Sequence, residues 1–253
     1  MTANEYMDKP HLNGDSFFWQ GNQVGVLLIH GFTATTAEVR LMAEKLHASG
    51  LTTAAPLLPG HGTHPDDLNR ATWPMWLQKV KETYEGLLKI CDDVFVLGTS
   101  MGALLSLELA AQHPEIAGLL LFSPALKVEG LWLAQLLAPF KKYLGKQPKG
   151  ENLAWKGYNV YPLKAAGQLY KLQKHVKGIL PKIEQPILIF TGDKDNRVSN
   201  EAIAPLVNQV KSLEKEHHPM QNSSHFVMLE GDLDEASELT LSFIAKHSSF
   251  SLE

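Results

Sequence analysis

Residues 93–112 combine a short apolar segment, a serine flanked by glycines and a long helix-forming segment. The apolar run 94–97 has the length and the β-branched content of one buried strand. It ends at a G-x-S-x-G motif, Gly98-Thr99-Ser100-Met101-Gly102, and residues 103–112 contain no further Gly or Pro. The bare motif arises by chance roughly one time in ten at ordinary glycine frequencies. The strand pattern before the motif and the helix pattern after it therefore predict that Ser100 lies on a sharp strand-to-helix turn, with its hydroxyl above the N-terminus of the helix.

The other apolar segments indicate a parallel sheet that is covered on both faces. Continuous apolar runs that end in loops of small or polar residues predict strands at 24–29, 51–58, 117–122 and 186–190, with weaker strands at 16–20 and 215–220. Segments with helical spacing separate them, and the last helix is expected to begin at an N-cap, Asp232. This alternation predicts an α/β fold with a mostly parallel, doubly wound sheet of about seven strands.

The alternation breaks between residues 125 and 183. An uncharged apolar stretch, 130–140, is followed by a basic loop and by a helical pattern over 158–177. A structureless linker of this size would be unusual, so the segment 125–183 is expected to be an inserted helical cap, with residues 1–124 and 184–253 forming the main domain. The alternative is that the apolar helix belongs to the core.

Composition restricts the class of partner. The chain has 253 residues, of which 44% are hydrophobic and 20% charged, and a net charge of -4. An acidic chain offers no basic field for nucleic acid or an anionic bilayer. No apolar run approaches the roughly 18 residues of a membrane span, so no stable membrane anchor is expected. The first fifteen residues show no secretory signal, which makes a cytoplasmic location the expectation. Monomer and homodimer remain open.

Neither a disulfide nor a metal site is expected. Cys91 is the only cysteine, and its place at the end of an apolar pattern predicts a packed side chain. His61 and His64 are three residues apart, and His217 and His218 are adjacent, but neither pair is joined by a cysteine or a carboxylate cluster. No cofactor is therefore expected.

Ser100 needs partners before it can act as a nucleophile. A serine hydroxyl requires a base within hydrogen-bond reach and a group that orients and stabilises that base. In doubly wound sheets such groups lie in loops at the carboxyl ends of strands. Asp193, Asp195 and His225 all fall in such loops, late in the chain. They follow Ser100 in the order nucleophile, acid, base.

These motifs together resemble the α/β-hydrolase superfamily, and more narrowly its small bacterial carboxylesterases and monoacylglycerol lipases. The residues that carry the resemblance run through nearly the whole chain: His30-Gly31-Phe32-Thr33, Pro59-Gly60-His61-Gly62-Thr63-His64, Gly98-Thr99-Ser100-Met101-Gly102, Gly192-Asp193-Lys194-Asp195-Asn196-Arg197-Val198 and Asn222-Ser223-Ser224-His225.

The resemblance implies a role for each matching residue. Ser100 would be the nucleophile, His225 the general base and acid, and Asp195 the orienting carboxylate, with Asp193 as a less favoured alternative. The backbone N–H groups of Phe32 and Met101 would form the oxyanion hole. The implied reaction is hydrolysis of short- to medium-chain carboxylic esters through an acyl-enzyme.

The substrate pocket is assigned less directly. The acyl-side wall is expected to be apolar, and its candidates are Phe32, Met101, Trp132, Leu133, Leu136, Leu137 and Phe140. Where the resembling monoacylglycerol lipases carry a Glu for the glycerol head, this chain has Asn159. A general carboxylesterase is therefore favoured over a dedicated monoacylglycerol lipase.

Two further functions stay open. The same serine chemistry serves thioesterases, amidases and acyltransferases. In a different class, the fold also serves as a non-catalytic receptor for small molecules. An intact set of Ser100, Asp195 and His225 argues against the receptor.

Overall fold

The structure is a computed structural model that describes residues 3–146 and 153–251. Its centre is a seven-stranded sheet. In spatial order the strands are β11 (Lys215–Met220), β10 (Ile187–Gly192), β6 (Gly118–Phe122), β5 (Asp93–Thr99), β3 (Val24–Ile29), β4 (Thr52–Ala55) and β2 (Phe17–Trp19). Only β2 runs antiparallel to its neighbour, β4, and the other pairings are parallel. The predicted fold class is confirmed, and each predicted strand is present with ends shifted by at most three residues.

Helices cover both faces of the sheet. Side chains on β3 alternate between two hydrophobic clusters, since Leu27 and Ile29 belong to one and Val26 and Leu28 to the other. This period of two is the geometry of a strand with two buried faces. The helices are α1 (Ala37–Ala48), α2 (Pro65–Arg70), α3 (Trp73–Leu87), α4 (Met101–Gln112), α5 (Leu133–Leu137), α6 (Leu163–Ile179), α7 (Ile203–Gln209) and α8 (Leu233–Lys246).

The segment between β6 and β10 contains α5, α6 and three short strands outside the main sheet: β7 (Tyr143–Gly145), β8 (Gly157–Tyr158) and β9 (Val160–Pro162). β7 pairs with β9, and β8 pairs with β1 (Met7–Asp8) near the N-terminus. The helix predicted from residue 158 is corrected here, because residues 157–162 are extended. Pro162 has no N–H to donate and disfavours helix in the residue before it, so α6 begins only at Leu163.

The predicted cap is not uniform in its packing. In α5 only Ala134 is buried, so this apolar helix is not part of the main core. In α6, by contrast, Leu169, Leu172 and Val176 belong to the larger hydrophobic cluster. The boundary between main domain and cap at residues 125 and 183 stays a prediction.

Two other features concern the described residues as a whole. None of their helices has the length and apolar content needed to cross a bilayer. Cys91 is buried and unpaired, as its position in the apolar pattern predicts.

Candidate active site

The carboxyl ends of four parallel strands bring the sequence-predicted residues to one edge of the sheet. β3 leads into the loop 30–36, β5 into Ser100, β10 into Asp195 and β11 into His225. Because parallel strands end at the same edge, loops that are distant in sequence become neighbours there. Ser100, Asp195 and His225 line one cavity at this edge.

Ser100 stands on a strained turn between β5 and α4. Its φ of 55° and ψ of -112° are unusual for a residue with a side chain. A Cβ at Gly98 would overlap Gly102, and a Cβ at Gly102 would overlap the Ile29 carbonyl, so both glycines are needed for close packing of the turn. The Ser100 N–H donates to the Phe122 carbonyl at 2.9 Å, which fixes the turn to β6. The G-x-S-x-G motif therefore has the predicted strand-turn-helix context.

His225 is held by Asp195. The Nδ1 of the imidazole lies 2.7 Å from Asp195 Oδ2, and the other carboxylate oxygen accepts from the backbone N–H groups of Arg197 at 2.8 Å and Val198 at 3.1 Å. Burial alone would raise the pKa of Asp195, but the hydrogen bond and charge of His225 and the two N–H donors outweigh it and lower the pKa. Asp193, the alternative acid, is exposed.

Two carboxylates fix the loop that carries His225. Asp232 accepts from the backbone N–H of Asn222 at 2.8 Å and from its side-chain amide at 2.9 Å. Glu230 accepts from the Ser224 hydroxyl at 2.8 Å. Asp232 occupies the predicted N-cap position of α8, yet its side chain makes no cap hydrogen bond, because its oxygens are engaged by Asn222. The position of the predicted N-cap is therefore confirmed, but the Asp232 side chain holds the loop that carries His225 instead of capping the helix.

The two predicted oxyanion donors lie in the loop after β3, at Phe32, and at the start of α4, at Met101. Gly31 N–H donates to Glu38 Oε2 at 2.6 Å, and Glu38 Oε1 accepts from the indole N–H of Trp155 at 3.0 Å. Within the described part of the chain, the Phe32 N–H has no acceptor. Met101 is the first residue of α4, so its N–H has no partner inside the helix. Glu38 was not singled out by any sequence pattern.

His30 fixes the same loop through two hydrogen bonds. Its Nε2 accepts from the Leu58 N–H at 3.1 Å, so Nδ1 carries the proton and donates to the Gly31 carbonyl at 2.9 Å. Burial lowers the pKa of His30, and burial is also the largest cause of the lowered pKa of His61. These histidines therefore serve as neutral structural groups. Among the residues that the structure describes, no three of His, Cys, Asp or Glu converge on a possible metal position.

The cavity has a volume of about 950 Å³, within the roughly 300–1,000 Å³ that is typical of small-molecule sites. One part of its lining is apolar and comes from the β3 loop and from residues around α5 and α6: Phe32, Leu131, Leu133, Ala134, Leu137 and Leu163. Charged groups also line it, among them Lys146 and Arg197. Sequence patterns had singled out neither of these cations for the pocket.

The predicted wall residues separate into two groups. Phe32, Leu133 and Leu137 line the cavity, whereas the other predicted side chains lie outside its lining: Met101, Trp132, Leu136, Phe140 and Asn159. Met101 is fully buried, because the first turn of α4 packs into the core. The outer face of α5 points to solvent, and Phe140 is 89% exposed. The side chain of Asn159 donates to the Glu5 carbonyl at 3.0 Å.

Comparison with known proteins agrees with this arrangement. Residues 21–156 match the Hydrolase_4 family, described as serine aminopeptidase, S33. The chain is 34% identical over 244 residues to the thermostable monoacylglycerol lipase of Bacillus sp. (strain H-257), covering 94% of this chain and 98% of that protein. It is 27% identical over 236 residues to a carboxylesterase of Bacillus subtilis (strain 168), covering 91% and 96%.

A solved structure from work on LipS and LipT, two metagenome-derived lipolytic enzymes, superposes with a TM-score of 0.89 at 30% identity and covers 92% of this chain and 98% of that one. The sheet and this similarity define an α/β-hydrolase. The chain belongs to the Hydrolase_4 family of serine hydrolases. With its lipase and carboxylesterase relatives, it is a carboxylic ester hydrolase, and the resemblance noted in the sequence is confirmed.

Proposed function

We propose that the protein is a general carboxylesterase in which Ser100 is the nucleophile, His225 the general base and acid, and Asp195 the orienting carboxylate. The observation that carries the proposal is the 2.7 Å contact between His225 Nδ1 and Asp195, made in a cavity that Ser100 also lines. A serine with this base and this acid can accept an acyl group. The strained turn at Ser100 supports the same assignment, because backbone strain of this kind concentrates at functional sites.

The mechanism is acyl transfer in two halves. Ser100 Oγ attacks the ester carbonyl while its proton passes to Nε2 of His225, and Asp195 stabilises the imidazolium that forms. The N–H groups of Phe32 and Met101 donate to the oxygen on which negative charge develops. The alcohol leaves with the proton from His225, and a water molecule then repeats the sequence and releases the acid.

The apolar lining supports an acyl chain of short to medium length. Phe32, Leu133 and Leu137 offer side chains for this part of the substrate. Asn159 supports no contact with a glycerol head, because its amide donates to the backbone of Glu5 and lies outside the cavity lining. We therefore place general carboxylesterase activity above dedicated monoacylglycerol lipase activity. The cytoplasmic location stays a prediction.

The first experiment compares wild type with Ser100→Ala on a panel of p-nitrophenyl esters of increasing chain length. We expect near-complete loss of hydrolysis in the variant with its thermal unfolding unchanged, and labelling of the wild type alone by a fluorophosphonate probe. A Ser100→Ala protein that keeps most of its turnover would remove the nucleophile assignment. Absence of both turnover and labelling in the wild type would favour a non-catalytic receptor.

Amide hydrolysis is the second candidate function, because the description of the matching family names a serine aminopeptidase. The same triad can attack an amide, which is a harder substrate since its leaving group must be protonated. Aminoacyl p-nitroanilides and the corresponding p-nitrophenyl esters separate the two activities. We expect the esters to be hydrolysed much faster, and an opposite ranking would make the protein a peptidase.

A further inference from the structure

Two cations that line the cavity of Ser100 have no carboxylate partner among the described residues. Its charged lining consists of Glu38, Lys127, Glu129, Lys146, Asp195, Arg197 and Glu201. Lys127 is neutralised, since its ammonium lies 2.5 Å from Glu201 and 3.6 Å from Glu129. Asp195 and Glu38 accept the hydrogen bonds described above. Neither Lys146 nor Arg197 forms an ion pair with a described residue.

Lys146 and Arg197 both contact Tyr161. The Lys146 ammonium lies 4.6 Å from the centroid of the Tyr161 ring and donates to the Tyr158 carbonyl at 2.8 Å. It also donates to the Thr33 hydroxyl. Arg197 Nη1 donates to the Tyr161 hydroxyl at 3.4 Å. The two side chains therefore form one positive patch in the wall of the cavity.

The charge of Arg197 acts on the ammonium of Lys146. Burial and the charge of Arg197 lower the pKa of Lys146 to about 7, although Asp8 and Glu38 act in the opposite direction. Two positive groups held this close in a partly desolvated site repel each other. An anion bound between them would relieve the repulsion and raise the pKa of Lys146.

One member of the patch, Arg197, lies beside the residue that follows His225. The guanidinium of Arg197 is 5.1 Å above the ring of Phe226, and this ring is 5.4 Å from the imidazole of His225. In the proposed reaction His225 delivers its proton to the leaving alcohol, so the alcohol portion of the ester lies beside it. The apolar lining comes from other elements, around α5 and the start of α6.

We propose that the enzyme prefers esters whose alcohol portion carries a phosphate close to the ester bond, with Lys146 and Arg197 as its binding residues. This rests on the proposed function of Ser100 and His225. A guanidinium binds phosphate through two parallel hydrogen bonds, and an ammonium adds a point charge. A phosphate-bearing thiol such as coenzyme A has the same chemistry, but its phosphates lie a full pantetheine arm from the thioester. The contact of Arg197 with Phe226, the residue after His225, favours the short alcohol.

The test compares one acyl group on different leaving groups: the butyrate esters of glycerol, glycerol 3-phosphate and choline, together with butyryl-CoA. Hydrogen bonds to charged groups correspond to roughly 10- to 100-fold in affinity, so we expect the glycerophosphate ester to exceed the glycerol ester about 10-fold or more in kcat/KM. Butyrylcholine and butyryl-CoA should rank below both. Glycerol 3-phosphate, but not glycerol, should inhibit hydrolysis of the glycerol ester competitively.

Variants assign the preference to the patch. Arg197→Gln and Lys146→Met should each bring the phosphate-to-neutral ratio of kcat/KM toward 1, whereas Arg197→Lys keeps part of it. Lys171→Gln is the matched control, because it removes an exposed cation of α6 that lies outside the cavity lining, and its ratio should equal that of the wild type. The inhibition by glycerol 3-phosphate is measured on the wild type and does not depend on any variant folding.

The outcomes separate this proposal from the one before it. Hydrolysis of the glycerol ester without a phosphate preference would overturn the anion site and leave the esterase intact. No hydrolysis of any ester and no fluorophosphonate labelling would overturn the esterase itself. A preference that persists in Arg197→Gln and Lys146→Met, or butyryl-CoA as the best substrate, would also overturn the assignment of a short phosphate-bearing alcohol to this patch.

Discussion

Replacement of Glu38 by Gln tests whether the loop that carries Phe32 depends on one buried side chain. Glu38 is 5% exposed, and its two oxygens accept from two donors, the Gly31 N–H at 2.6 Å and the Trp155 indole N–H at 3.0 Å. Gln keeps the shape of the side chain but has a single acceptor oxygen. One donor is therefore left facing an amide NH₂ group.

The magnitude follows from this loss. A buried donor that loses its acceptor costs about 1–3 kcal/mol, so the free energy of unfolding should fall by that amount. If the Phe32 N–H moves away from the oxyanion position, the loss of one such donor is worth up to about 10²–10³ in rate. We expect kcat to fall at least tenfold, while KM changes little because the apolar cavity lining is untouched.

The assay is steady-state hydrolysis of p-nitrophenyl butyrate together with urea unfolding. Glu44→Gln is the matched control, since it makes the same chemical change on an exposed position of the same helix. Trp155→Phe removes only the second donor and leaves the Gly31 bond in place, so it should lower stability more than kcat. If Glu38→Gln equals Glu44→Gln in kcat and in unfolding, the Phe32 loop does not depend on Glu38.

Two other predictions concern packing and charge. In Gly192→Ala the added Cβ would overlap the Ser224 carbonyl, so we expect overpacking to lower the free energy of unfolding by about 1–3 kcal/mol and kcat to fall as well. The control is Gly178→Ala, where the added Cβ has open space. The pKa of Lys146 is about 7 in the folded chain and 10.5 ordinarily. Between these two pH values the lysine is protonated in the unfolded chain but neutral in the folded chain, so the free energy of unfolding rises with pH across that window. The stability advantage of Lys146→Met over wild type should therefore shrink from pH 7 to pH 10 in urea titrations, and a constant difference would refute the lowered pKa.

The sequence predicted the parts of this molecule that depend on local patterns. Continuous apolar runs predicted the strands and therefore the positions of the loops that follow them. Because parallel strands end at the same edge of the sheet, Ser100, Asp195 and His225 could be assigned to that edge. Contacts between distant loops leave no such pattern. Glu38 and Trp155 are 117 positions apart. Lys146 follows β7 and contacts Tyr161 in β9, its partner strand outside the main sheet, and Arg197 contacts the same tyrosine. The composition of residues 130–140 showed an apolar helix, but not which of its side chains line the cavity.

In the proposed mechanism, the loop after β3 links the oxyanion donor Phe32 to the wall of the cavity. On one side Glu38 in α1 holds Gly31, and on the other the segment between β6 and β10 donates from the Tyr158 N–H to the Thr33 carbonyl at 2.8 Å. The Thr35 hydroxyl donates to the Lys156 carbonyl at 3.1 Å. A change in residues 156–161 that alters the cavity wall should therefore also shift the segment that contains the Phe32 N–H. Substitutions there should change kcat together with KM, whereas substitutions on the cavity-lining side of α5 should change KM alone.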